Sequence, residues 1–242
     1  MKTFWGGDGS PVFCCDHPNA SVLPMNATTE RRRIAGASGS LEIAIDHPKA
    51  AADGLAVLAH PHPLFGGSLD NKVVQTIARA LLSRNMVCIR PNFRGVGDSQ
   101  GTHDHGHGEQ DDLWASWAWA EAAYGATVGP KRWAAGFSFG ASMTTHVVHD
   151  WQTERAARGL IHLPLSASVL VGLAIDRFPP APIDERTHLI HGAQDDVVTL
   201  DSVFAFAAQY RRPVAVLPGA GHFFHGMLNE LRDMVVHAVA RD

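Results

Sequence analysis

Apolar positions along this chain fall into short continuous runs that alternate with stretches of helical spacing. Leu41–Asp46 places an apolar residue at every second position, which predicts a half-buried strand. LAVLAH (Leu55–His60) and MVCIR (Met86–Arg90) are unbroken apolar runs that end in Pro- or Gly-containing loops, as strands buried on both faces do. Between them, Val73, Val74, Ile77, Ala80 and Leu81 mark a helix over Asn71–Ser83. Glu109–Tyr124 predicts a second helix, with acidic residues near its start where the helix dipole favours them. Further strands are expected at Arg132–Ala135, Ser168–Ala174, Thr187–His191 and Val214–Leu217. Further helices are expected at Ser138–Asp150, Leu200–Gln209 and from about Phe224 to Val239. The alternation predicts an α/β fold with a mostly parallel central sheet and helices on both faces. Ligands of such sheets bind at the carboxyl ends of the strands.

Residues 1–38 show no period and read as a flexible N-terminal arm, leaving 39–242 as one domain of ordinary length. Met25, ahead of NATTERRRI, offers a second candidate start. Apolar residues make up 45% of the chain, enough for a substantial core, and the net charge of −4 argues against a nucleic-acid partner. No apolar run approaches the roughly 18 residues that span a bilayer, and the N-terminus lacks the apolar stretch of a signal peptide. The chain has three cysteines: Cys14 and Cys15 are adjacent, and Cys88 lies in an apolar run, so no disulfide framework is expected. That usage fits the cytoplasm. No membrane partner and no cofactor are expected, and oligomeric state is not readable.

Gly136-Phe-Ser138-Phe-Gly140 is a G-x-S-x-G pattern. With 23 glycines in the chain the bare pattern means little, but its context means more. An apolar strand precedes it and a helix follows, the setting of a nucleophile elbow. There the serine occupies a strained turn that lifts Oγ above the sheet, and the Phe139 N–H faces a developing oxyanion. A serine hydroxyl needs a base, and the base an orienting acid. The strand THLIHG leads to Asp195, and the strand VAVLP leads to His222 in a Gly-flanked loop. Asp196 and Asp176 are alternative acids; His225 is an alternative base, with a bland reading as a partly buried helical residue. A second oxyanion donor is expected after LAVLAH, in HPHPLFGG. Pro61 and Pro63 have no N–H, which leaves the backbone of His62 or Leu64.

These motifs together resemble the α/β-hydrolase superfamily and, within it, small cap-less bacterial predicted hydrolases. The shared stretches are HPHPLFGGSLDNKVVQTIARAL, RPNFRGVGDSQGTHDHGHGE, AAGFSFGAS, HGAQDD and GAGHFFHG, running from about residue 40 to the C-terminus. The resemblance implies Ser138, Asp195 and His222 as the triad and says little about substrate.

Only about a dozen residues follow SVLVGLA before the next strand, too few for a helical lid, so an open site with an exposed nucleophile is expected. The Gly- and His-rich loop Gly95–Gly108 borders it, with Arg94, Asp98, Asp104 and Glu109 as candidates for a bracing polar network. Trp114, Trp117 and Trp119 read as helix packing. The first functional expectation is hydrolysis of a small-molecule ester or related acyl substrate through an acyl-enzyme. A metal-dependent hydrolase built on His60, His62, His103, His105 and His107 competes with it, although H-x-H-x-D-H is absent. A non-catalytic binding module on a hydrolase scaffold is the third reading.

Overall fold

The computed structural model describes residues 3–5, 11–13, 29–158, 160 and 164–240. Cys14, Cys15 and Met25 lie outside them. Thr3–Trp5 and Pro11–Phe13 pair as a small antiparallel ribbon. The main sheet has eight strands: β1 (Glu30–Gly36), β2 (Gly39–Asp46), β3 (Gly54–Ala59), β4 (Met86–Pro91), β5 (Lys131–Phe137), β6 (Ala167–Val171), β7 (Thr187–Gly192) and β8 (Val214–Leu217). Their order is β8-β7-β6-β5-β3-β4-β2-β1. β1 and β2 are antiparallel additions; the rest run parallel.

Burial explains which strands the sequence announces. β3 and β4 are buried at every position and read as continuous apolar runs. β1 is an edge strand in which Arg31, Arg32 and Arg33 face solvent and Ile34 is the buried position. One apolar residue gives no alternation, so the expected arm through residue 38 is corrected here: 30–36 belong to the sheet. Exposed arginines on such a strand also discourage edge-to-edge pairing with another chain.

Helices α1 (Lys72–Leu82), α2 (His107–Tyr124), α3 (Phe139–Ala157), α4 (Leu200–Gln209) and α5 (Leu228–Val239) cover both faces. α1 and α5 pack on one face around Ile77, Trp133, Leu231 and Val235. α2 and α3 pack on the other, where Trp151 stacks on Trp114 and meets Trp117 edge-on. The expected packing role of these tryptophans holds; Trp119 lies half-buried against Tyr124. α5 starts at Leu228, later than the expected Phe224, because Phe224 and Gly226 have φ of 51° and 75°, outside the helical region. His225 is therefore an exposed turn residue and not a helical one. Cys88 is a buried core thiol, and burial raises its pKa well above the usual value. Between β6 and β7 no residue is helical, so no lid is inserted there. No helix among the described residues is long and apolar enough to cross a membrane.

Candidate active site

The chain turns sharply from β5 into α3 at Ser138, whose φ of 56° and ψ of −121° lie outside the regions open to most residues. The flanking glycines are a steric necessity. A Cβ on Gly136 would stand 2.5 Å from the Gly140 carbonyl oxygen, and one on Gly140 would stand 2.4 Å from that of His60. The strand, the helix and the end of β3 converge too closely for side chains there. Strain of this kind persists where surrounding structure enforces it, and it clusters at functional sites.

Three residues from three loops meet at this turn. Ser138 Oγ lies 3.0 Å from His222 Nε2, and His222 Nδ1 lies 2.7 Å from Asp195 Oδ2. The second oxygen, Asp195 Oδ1, accepts the N–H groups of Val197 at 2.9 Å and Val198 at 2.8 Å. Burial works against an ionised Asp195, but His222 and these backbone donors outweigh it and hold the carboxyl below its usual range. Its neighbour Asp196 and the more distant Asp176 are both exposed, and among the described residues the carboxylate hydrogen-bonded to His222 is that of Asp195. All three residues of the constellation are largely buried, and Ser138 is only 8% exposed. The expectation of an exposed nucleophile is thus corrected: the site lacks a lid, yet its serine is shielded by the packed loops around it.

The loop after β3 coils on itself. Phe65 and Gly67 both donate to the His62 carbonyl, and a Cβ on Gly67 would collide with the Pro61 carbonyl. The Leu64 N–H donates to His62 Nδ1 at 3.2 Å, so it is engaged within the loop and is removed as an oxyanion donor. The His62 N–H has no partner among the described residues. The Phe139 N–H is the first of α3, a position that has no intrahelical acceptor.

Three residues support the site in ways that the sequence pattern does not show. His60 is buried with both ring nitrogens engaged: Nδ1 donates to the Pro61 carbonyl at 2.6 Å and Nε2 accepts the Phe93 N–H at 2.9 Å. It clamps the end of β3 to the end of β4. Burial, partly opposed by the Pro61 bond, lowers its pKa to about 4. The folded protein therefore binds fewer protons than the unfolded chain between about pH 4 and 6.5, and stability falls as pH drops through that window. The shift corresponds to about 3 kcal/mol. Urea unfolding at pH 7.5 and 4.5 is expected to show a drop of this order that His60→Gln reduces; an equal drop in both proteins would remove His60 as the cause.

His191, at the end of β7, is the second. Its Nε2–H donates to the Val198 carbonyl at 2.9 Å and lies 3.4 Å from Asp195 Oδ2, bracing the acid loop. Burial lowers its pKa, which favours the neutral ring. Gly172 is the third. With φ of 54°, it ends β6 beneath His222, and a Cβ there would sit 3.3 Å from the imidazole. Gly172→Ala is expected to lower kcat by up to about 100-fold by displacing the ring, with circular dichroism unchanged. Full activity in that variant would show that His222 tolerates the shift.

The loop between β4 and α2 is braced in two separate places. Arg94 forms a buried pair with Asp112, its Nη2 2.8 Å from Oδ1. Glu109 is fully buried and accepts from His103 Nδ1 at 2.8 Å and from the N–H groups of Asp104 and Gly106. The expected bracing holds for Arg94 and Glu109, while Asp98 instead pairs with Arg33 at the surface. The ring of His103 is committed to Glu109, and among the described residues no three His, Cys, Asp or Glu side chains converge on a point suited to a metal.

The fold, with a serine at its strand–helix turn and an imidazole and carboxylate on later strand ends, defines an α/β hydrolase. No protein-family profile matches the chain. It is 36% identical to an α/β serine hydrolase homologue of Coxiella burnetii, covering 87% of this chain and 97% of that one with a TM-score of 0.76. It is 32% identical to a member of the α/β serine hydrolases without a lid from Xanthomonas campestris, covering 89% and 95% with a TM-score of 0.74. An uncharacterized protein of Rickettsia prowazekii is 30% identical over 177 residues, covering 70% of this chain and 71% of its relative. The chain belongs to the family of α/β serine hydrolases without a lid.

Proposed function

We propose that this protein hydrolyses esters or related acyl compounds through an acyl-enzyme on Ser138. The observation that carries the reading is the continuous hydrogen-bonded line from Ser138 Oγ through His222 to Asp195. The ionised Asp195 accepts the Nδ1–H of His222, which leaves Nε2 unprotonated and able to accept the Ser138 proton. Oγ then attacks the acyl carbonyl, and the carbonyl oxygen becomes an oxyanion. The His62 and Phe139 N–H groups are the donors that receive it; one such donor is worth about 3 kcal/mol. Protonated Nε2 returns its proton to the leaving oxygen, and the acyl group stays on Ser138. Water, deprotonated by the same nitrogen, releases the acid.

Hydroxylamine partitioning tests the intermediate. Methyl, ethyl and phenyl esters of one acid are expected to yield the same ratio of hydroxamate to free acid, since all pass through the same acyl-Ser138. A ratio that varies with the leaving group would contradict a common acyl-enzyme.

A further inference from the structure

Five large hydrophobic side chains stand out from the surface of the described residues: Leu64 at 69% exposure, Phe65 at 59%, Val197 at 60%, Phe204 at 44% and Phe223 at 44%. Phe204 lies on α4. The other four stand on the loops that carry the site, with Leu64 and Phe65 after His62, Val197 after Asp195, and Phe223 beside His222. Single exposed apolar residues are ordinary, but four of them on the loops that carry one site point to a binding surface there.

Rings continue this surface inward. The His62 ring lies 4.8 Å from Phe65 and 5.0 Å from both Phe139 and Phe178, and Phe139 lies 4.7 Å from Phe178. Phe65, His62 and Phe178 thus form one apolar surface, backed from beneath by the buried ring of Phe139, the residue that follows Ser138. Burial, reinforced by nearby His103, lowers the His62 pKa to about 4, so the His62 ring is uncharged near neutrality. On the separate loop that carries His222, the Phe223 ring lies 5.0 Å from the imidazole.

The chemistry divides these two walls between the two parts of a substrate. His222 Nε2 must reach the leaving oxygen, so the leaving group sits on the Phe223 side. The carbonyl oxygen turns to the N–H groups of His62 and Phe139, at the foot of the other wall. That leaves the acyl group to run out along Phe178, Phe65 and Leu64. Resting on the reading of Ser138 given above, we propose that the substrate carries a large apolar acyl group, held on the open wall of Leu64, Phe65 and Phe178, with its leaving group against Phe223.

Full burial of a methylene is worth about fourfold in affinity. With no lid, the acyl group is covered on one side, and about twofold for each methylene is expected. The test measures kcat/KM below micellar concentrations for p-nitrophenyl acetate through octanoate, and for acetates of lengthening alcohols. Wild type is expected to favour octanoate over acetate by at least tenfold. Phe65→Ser is expected to cut that acyl ratio severalfold and spare the alcohol ratio; Phe223→Ser is expected to do the reverse. Both side chains are exposed, so folding is not at risk. A flat acyl series in wild type would overturn the proposal, as would an acyl ratio untouched by Phe65→Ser. That flat series is also the result if a protein or a lipid surface occupies this rim instead. Failure of wild type to turn over any ester would overturn the reading of Ser138 itself, and the proposal with it.

Discussion

Ser138→Ala is expected to lower kcat/KM for an ester by about 10⁶-fold, and His222→Ala and the double variant by about the same amount. The equality follows from the geometry. Oγ is a weak nucleophile until Nε2, 3.0 Å away, takes its proton, so neither residue has its effect without the other. What survives in all three variants is the contribution of substrate binding and of the His62 and Phe139 N–H groups, which removal of the serine leaves in place. Steady-state kinetics of the three proteins tests this. Additive losses, with the double variant far below either single one, would mean that Ser138 and His222 act independently.

Asp195→Asn is expected to cost about 10⁴-fold in kcat while leaving the fold intact, and the hydrogen bonds explain why. Oδ1 accepts two backbone N–H groups, from Val197 and Val198, so the amide oxygen of an asparagine must occupy that place. The amide nitrogen is then turned to His222 and donates to Nδ1. The ring is forced into the Nε2–H tautomer, which donates to Ser138 and cannot take its proton. Nitrogen-15 NMR of the imidazole reads the tautomer directly. Wild-type kcat in Asp195→Asn, or an unchanged tautomer, would remove Asp195 from its role as the orienting acid.

Much of this site was legible because its parts are local motifs set in a fixed chain order. The elbow shows as two glycines two residues either side of a serine between an apolar run and a helix. Asp195 and His222 show as loop residues at the ends of two later apolar runs. The parts that did not show depend on approaches between distant segments. Gly172 looks like any strand-end glycine until the imidazole packs on it, and His60 looks like half of a metal motif until its ring is seen joining two strand ends. Leu64 was a fair oxyanion candidate from proline spacing alone; the His62 ring that captures its N–H belongs to a coil the spacing does not describe. The β1 strand was hidden for another reason. An edge strand with one buried residue need carry no hydrophobic period. The low exposure of Ser138 likewise depends on the packing of loops distant in sequence, and no single segment records it.

The central claim is that Ser138 is the nucleophile. Reaction of the wild-type protein with a fluorophosphonate probe, followed by intact mass and peptide mapping, tests it most directly. One adduct per chain, on Ser138, is expected, with none in Ser138→Ala and greatly slowed labelling in His222→Ala. An esterase-active protein that takes no adduct, or that is inactivated by an adduct at another residue, would contradict the account.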